Sequence, residues 1–490
     1  MRFLLRCPVI FLAVWFLCPA AGLAASGQAG GPGAAPLALT GGTVIDVTNW
    51  GDSARDLRNA VVIVSNGQIT EVGAAGAVQI PKNAQILDCT GKFIIPGLVD
   101  GFAGMASQAQ ANANLYMGVT TVVARADAQR GFIDFGAHPS PHVYPIDTAG
   151  TTDNWSLLAR QPEWVGKLRR GPRPVELSPE DTAREIAASA KLGTRVVLLP
   201  GDVTAANAQW IVNRAHDLHL ATYGDFVATP DRVGDEAGVD ALLHMDRYIL
   251  GAIPDELQTP LSQDSSGSAA AAAFDYADRV PASDARLRSY AHFLSGHRAA
   301  LMPMFSLEYV ELPGHRNLWK EPAAGLLDPQ RMFHATDPAT GEMDYPLPGW
   351  SRHLPAAAQR WLEESEQKKA EQAALRLWHI NQTIFAAFPH YLAGSGADID
   401  GTMPGISLHT EMELLVRLGL SPREALAAAT NNYALQFGWT ELGQVAPGRR
   451  ADMLVLNGDP TIDIWNARKI STLVVGGAIV DRDSLLKLKK

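Results

Sequence analysis

The sequence predicts an α/β protein, a (β/α)8 TIM-like barrel joined to a composite β-sandwich formed by the N- and C-terminal segments. Three observations predict it. Short alternating strands separated by turn residues fill 37–96. Strands and helices then alternate through 97–439. Strand texture returns in 440–490, so β-rich segments flank the barrel at both ends and can pair into one domain.

The first 25 residues stand apart from the fold. Arg2 and Arg6 give a positive start, 9–17 is apolar, and Gly22, Ala24 and Ala25 form a small-residue cleavage site. That is the pattern of a secretory signal peptide, and it is shorter than the ~20 apolar residues that span a bilayer. A periplasmic or secreted protein is expected, with no membrane span. Residues 26–36 are rich in Gly, Ala and Pro and read as a flexible lead-in.

Within 37–96 the strands fall at 38–47, 60–64, 69–72, 84–89 and 93–95, with Asn66-Gly67 as a hairpin turn. After Pro96-Gly97 come a β-branched run at 120–123, a helix at 179–192 capped by Ser178 with Pro179 in its first turn, and a buried strand at 194–199. A helix at 205–218, extended chain at 220–226, and apolar runs at 240–245 and 299–305 follow. A long helical stretch covers 356–388, extended chain 391–395, and a helix with a Ser421/Glu424 capping box 422–430. The last strands lie at 451–456 and 470–480, with a Gly476-Gly477 turn. Two stretches fit less well. Residues 262–273 are a Ser/Gly/Ala run expected as a surface loop. Residues 308–355 are expected as a long, lid-like insertion carrying His315, Trp319, His334 and Trp350.

Composition excludes several function classes. With 47% hydrophobic and 19% charged residues the chain folds rather than staying disordered. Its net charge of −10, taken to −12 by loss of Arg2 and Arg6 with the signal, argues against a nucleic-acid partner. Of three cysteines only Cys89 survives signal removal, so no internal disulfide is expected and Cys89 reads as a small buried hydrophobe. No nucleophile elbow, His-Glu-x-x-His helix or phosphate-binding glycine loop is present.

Four segments carry a family resemblance. Gly91–Asp100, reading GKFIIPGLVD, resembles the opening motif of the amidohydrolase superfamily, and Met117–Val122 (MGVTTV) its second-strand motif. Gly405–Leu415, with Ser407-Leu408-His409 and Glu411-Met412-Glu413-Leu414, resembles its late helix, and Gly443–Asp459 its return to the β-domain. The likeness runs from about Leu37 to the end and is greatest for the imidazolonepropionase-like and dipeptidase-like branch.

The resemblance implies one or two divalent metals at the barrel mouth, polarising a carbonyl and lowering the pKa of a bound water to about 7. It implies ligands from a His-x-His pair on the first strand, a carboxylated Lys on the fourth, a His on each of the fifth and sixth, and an Asp on the eighth that also handles a proton. Placed on those positions, the chain offers Gly101 and Ala103, which have no donor, and Leu198 instead of Lys. Asp225 stands at the fifth-strand position and His244 at the sixth. The eighth falls on Gly396 or, in another reading, on Asp398, the candidate catalytic carboxylate.

Each candidate also has a structural reading. His244 suits a hydrogen-bonded core histidine, Asp225 a cap, and Asp398 and Asp400 turn formers. His216 and His219 suit a helix end. His138 and His142 flank prolines, and His409 follows the family's helix pattern.

Two functions follow as expectations. In the first, an exported, catalytically degenerate relative without cofactor acts by binding a small amide or peptide, or by pairing with itself or an active paralogue. In the second, a hydrolase of C–N bonds is rebuilt around one divalent metal such as zinc, on His244, Asp225 and Asp398, or on histidines from the 308–355 loop.

Overall fold

The computed structural model describes residues 35–124, 133, 139–151, 176–201, 203–227, 231–254, 256–257, 268–277, 279–329, 336–343, 349–397, 399 and 401–487. The expected signal peptide, most of the lead-in, His138, His334, Asp398 and Asp400 lie outside them.

In chain order the first strands are β1 (Leu37–Val44), β2 (Leu57–Ser65), β3 (Gln68–Ala74), β4 (Gln85–Asp88), β5 (Phe93–Pro96) and β6 (Leu98–Asp100). Then come α1 (Gln108–Tyr116), β7 (Val119–Ala124), β8 (His142–Thr148), α2 (Pro179–Lys191), β9 (Val196–Leu199), α3 (Ala205–Asp217), β10 (Ala221–Gly224), α4 (Asp231–Glu236) and β11 (Ala241–Leu243). They are followed by α5 (Ser268–Ala277), α6 (Ala285–Ser295), β12 (Ala300–Met302), α7 (Ala356–Phe385), α8 (Ile406–Leu418), α9 (Pro422–Ala428) and α10 (Asn431–Phe437). The chain closes with β13 (Met453–Leu456), β14 (Ile470–Val475), β15 (Ala478–Val480) and α11 (Arg482–Leu485).

β6 to β12 form a curled seven-stranded sheet, ordered as in the chain, whose described strand pairs are parallel. This is a half-barrel of the TIM-like kind. Its strands are continuous apolar runs; β9 is buried along its whole length, as a strand covered on both faces must be. The helix before β9 begins where the sequence places it, with the Ser178 hydroxyl accepting from the Asp181 N–H at 3.1 Å.

The chain divides into two compact units. One comprises Ile146–Ala299 and His379–Pro389; the other comprises Ser26–Pro145, Ala300–Trp378 and His390–Lys490. The second contains a complete eight-stranded sheet in the order β15-β14-β13-β5-β1-β2-β3, with β4 on β1. β13 pairs antiparallel with β5, Met453 opposite Pro96 and Leu456 opposite Phe93, so both ends of the chain share one sheet. Leu39, Val62, Val64, Ile94, Met453, Val455 and Val474 form one core there, with Cys89 fully buried among them. The β2–β3 hairpin turns at Asn66 (φ 50°) and Gly67 (φ 76°), where only Asn and Gly adopt left-handed backbone cheaply. In the same unit Leu301 N–H donates to the His390 carbonyl at 2.8 Å, and Gly101 N–H to the Ala393 carbonyl at 3.2 Å. Segment 390–393 thus runs between β12 and the end of β6.

Two expectations need correction. Residues 268–273, read as loop, belong to α5, because a run of alanines has the highest intrinsic helix propensity. Nor is 308–355 structureless. It carries 3-10 turns at Phe305–Glu311, Leu318–Lys320, Pro322–Leu326 and Gly349–His353 and buries Tyr309, Leu312, Leu318, Ala324 and Leu327. Arg316 and Arg468 lie over the Trp465 ring, 3.7 and 4.1 Å from its centre, and pair with Glu413 (3.3 Å) and Glu321 (2.6 Å). The first half of the insertion is therefore tied into the second unit. Among the described residues, no helix is long and apolar enough to cross a membrane.

Candidate functional site

Parallel α/β sheets present their chemistry where the strands end. In the second unit β6 ends at Asp100, and residues 101–105 read Gly-Phe-Ala-Gly-Met, without an imidazole or carboxylate. A Cβ built on Gly101 would lie 1.8 Å from the Tyr433 hydroxyl and 2.7 Å from the Met302 methyl, so any side chain here collides. The Tyr433 O–H donates to the Ala393 carbonyl at 2.6 Å, which holds that hydroxyl in place. Ala103 is buried, and its N–H donates to the Val123 carbonyl at 3.1 Å.

In the first unit, Leu198 is buried on β9. Asp225 follows β10, and His244 follows β11 with φ at 64°, a strained value for a non-glycine residue. The structure brings these two together: His244 Nδ1 lies 3.0 Å from Asp225 Oδ1. Arg247, one turn on from His244, donates from Nε to the same oxygen at 3.2 Å and also pairs with Asp246. Burial raises the Asp225 pKa, but the charges of His244 and Arg247 outweigh it and hold the carboxyl well below its usual range. Asp225 is thus an ion-paired carboxylate and not a cap. Since His244 meets it through Nδ1, ligation by the same ring would use Nε2.

Three other histidines have structural partners. His409 Nε2 bonds the Met117 carbonyl at 2.7 Å, and burial pulls its pKa down to about 3. His142 lies 3.4 Å from Asp452. His216 bonds the buried Asp240 at 2.9 Å, and Asp240 also accepts from Thr222 N–H and Arg298. Cys89 has its thiol pushed up to about 11, chiefly by burial, and is inert. Among the described residues, no group of three or more His, Cys, Asp or Glu side chains is placed to hold a metal ion.

Sequence reasoning missed a buried acidic network in the second unit. Asp100 Oδ1 accepts from Ser395 N–H at 2.8 Å, Ser306 Oγ–H donates to the Ser395 carbonyl at 2.8 Å, and Ser306 N–H donates to Glu411 Oε2 at 2.7 Å. Both acids are fully buried. Burial pushes Asp100 up to about 6 and Glu411 up to about 8, the neighbouring Asp100 charge adding to the latter. The available signal was an acid inside apolar runs, Leu98-Val99-Asp100 and Glu411-Met412, where a solvated carboxylate is out of place.

The sequence profile of the Amidohydrolase family matches residues 386–480. This C-terminal part of the chain is similar to the amidohydrolase family. Imidazolonepropionase of Deinococcus deserti is 38% identical over 86 residues, 15% of this chain and 22% of that protein. Adenine deaminase 2 of Agrobacterium fabrum is 47% identical over 113 residues, 22% of this chain and 17% of that one. The chain thus spans about a fifth of the length of these curated relatives. The crystal structure of A. niger ochratoxinase superposes with a TM-score of 0.56 at 16% identity, covering 91% of this chain and 95% of that one, a likeness of fold.

Proposed function

We propose that this is an exported protein on the amidohydrolase scaffold that has given up the family's metal chemistry and acts by binding. Its ligand is a small amide or peptide, or a protein partner, either a second copy or an active paralogue. The proposal reads the seven-stranded sheet as part of a (β/α)8 barrel, the two-ended sheet as part of a β-sandwich, and residues 1–25 as a cleaved export signal.

One observation carries the reading. At the end of β6, where the resemblance calls for a ligand pair, residues 101–105 offer no donor, and the Tyr433 hydroxyl stands 1.8 Å from where a Gly101 side chain would begin. The chemistry at Asp225 supports it. A carboxylate that ligates a metal offers its charge to the ion, and here that charge is already met by the Arg247 guanidinium and by His244. Gly101, Ala103 and Leu198 have no side-chain donor and do not fit the family's metal site.

The rebuilt mononuclear hydrolase is the competing reading, favoured by the contact between His244 and Asp225. Metal content of the mature protein, purified without chelators and then titrated with zinc, separates the two. The expected result is a folded protein with far less than one metal per chain. Near-stoichiometric zinc that disappears in His244→Ala would overturn the proposal and make the hydrolase the working reading.

A further inference from the structure

The first half of α7 is longer than the core of the second unit uses. Residues 356–369 make about four turns, roughly 21 Å of helix, and none of them is buried; the first buried side chain is Ala370. These turns are rich in Ala, Glu, Gln and Lys, which are strong helix formers, and they continue a helix whose later turns bury Ala370, Ala374 and Trp378. On the uncovered length stands Trp361, 65% exposed. Tryptophan is rarely left in water, and it is enriched where proteins meet.

Trp361 belongs to a stripe. Ala357, Trp361, Glu364, Lys368, Glu371 and Leu375 recur at alternating spacings of four and three, so they line one face of the helix, the seam by which one helix packs on another. The first four are exposed and the last two half-buried. Off the stripe, Lys369 pairs within the helix with Glu366 at 3.0 Å. On the stripe, Glu364 and Lys368 stand one turn apart, yet among the described residues they pair neither with each other nor with another side chain.

We propose that this stripe pairs antiparallel with the same stripe of a second copy of the chain, about a two-fold axis at the level of Glu366. In that register Ala357 faces Leu375, Trp361 faces Glu371 and Glu364 faces Lys368, and the symmetry makes each contact twice. No like charges meet. The indole N–H of Trp361, a donor only, faces a carboxylate, which only accepts. A parallel pairing would set Glu364 on Glu364 and Lys368 on Lys368, which repel. A two-fold interface requires a pattern that is its own complement when read backwards, and this stripe has it, whereas an unrelated protein would match it only by coincidence. Six layers of single side chains bury less than the ~1,200 Å² of a standard stable interface, so the association depends on concentration. The pairing deepens the binding reading by giving its second-copy partner a surface, and it rests on that part of the reading alone.

The experiment is analytical sedimentation of the full mature chain over a range of concentrations. The wild type is expected to move from monomer toward dimer as concentration rises. Glu364→Lys and Lys368→Glu each set like charges opposite one another at two symmetric contacts, and each is expected to weaken the dimer about tenfold. Mixing the two variants, or combining both substitutions in one chain, puts opposite charges face to face again and is expected to restore the dimer. Trp361→Ala is expected to weaken it as well. All three positions are exposed, so the monomer keeps its fold, which circular dichroism checks. A wild type that stays monomeric at every concentration would overturn the pairing and leave the face to a different protein or to solvent. A dimer indifferent to both single charge reversals, or one that the mixed variants do not restore, would overturn it too, because the copies would then meet elsewhere. Neither outcome bears on the metal measurement, and near-stoichiometric zinc would overturn the binding reading while leaving this dimer intact.

Discussion

Glycine at position 101 is held there by packing. Its N–H bonds the Ala393 carbonyl, and the Tyr433 hydroxyl bonds the same oxygen from the side where a Cβ would project. Gly394 is constrained by the same neighbour, since its Cβ would lie 2.6 Å from the Met302 sulfur. Gly101→Ala is therefore expected to destabilise the protein by about 1–3 kcal/mol, the usual cost of forcing an extra carbon into a packed interior. Gly101→His should cost more and bind no zinc. Denaturant midpoints at constant m-value check both, and a histidine tolerated without loss would show that the space can open. None of this was legible in the sequence. A glycine where a family has histidine reads equally as a lost ligand or a shifted register, and only the tyrosine from α10 distinguishes them.

At the scale of elements, local signals performed well wherever local chemistry decides. The capping box of α9 forms as its spacing implies, with Ser421 Oγ accepting from Glu424 N–H at 3.2 Å and Glu424 accepting from Ser421 N–H at 2.6 Å. Arg423 in its first turn reaches the Asp56 carboxylate with both terminal nitrogens, at 2.7 and 2.9 Å, tying the helix to the loop after β1. Ser421→Ala is expected to cost ~1 kcal/mol and Ser421→Gly a few tenths, readable as a shift in unfolding midpoint. The 308–355 stretch was illegible for the opposite reason. Its 3-10 turns have no propensity signature, and they hold because Arg316 and Glu321 find Glu413, Trp465 and Arg468 far away in sequence.

At the scale of the whole molecule, the two ends of the chain are joined by a buried charge network as well as by β5 and β13. Arg450 is bonded to Asp452, to Tyr144 at 3.3 Å and to Thr121 at 2.6 Å, while Tyr144 also donates to Glu441. Burial opposes the charge on Asp452, but Arg450 and His142 hold its carboxyl well below the usual range. Asp452→Ala leaves the Arg450 guanidinium buried and unmatched and is expected to cost about 3–5 kcal/mol, enough to show as a large drop in Tm. The pH dependence runs opposite to that of Glu411, whose raised folded value makes its contribution complete below 4.5 and gone above about 8. Asp452 and Asp225 have depressed folded values, so their contributions are present above the ordinary 3.8 and are lost as pH falls through those values. With Glu411 weakening the fold toward pH 8 and these two weakening it in strong acid, stability is expected to peak on the mildly acidic side of neutrality. A Tm profile that keeps rising to pH 8 would contradict this balance.

What the sequence by itself determined is whatever repeats with the period of a strand or helix, or sits within a few residues of its partner. That covers the alternation of strand and helix, the Asn66-Gly67 turn, the Ser178 and Ser421 caps, and the strand texture at both ends. The family motifs at 91–100, 117–122, 405–415 and 443–459 belong here too, being contiguous. Only the tertiary structure decided that His244 and Asp225 meet and share Arg247, that Tyr433 fills the space beside Gly101, and that Asp100 and Glu411 are joined through two serines. The physical reason is distance along the chain. A hydrogen bond or a collision between residues separated by some twenty to three hundred positions leaves no local pattern, and it exists only once the strands that carry both partners have been brought together.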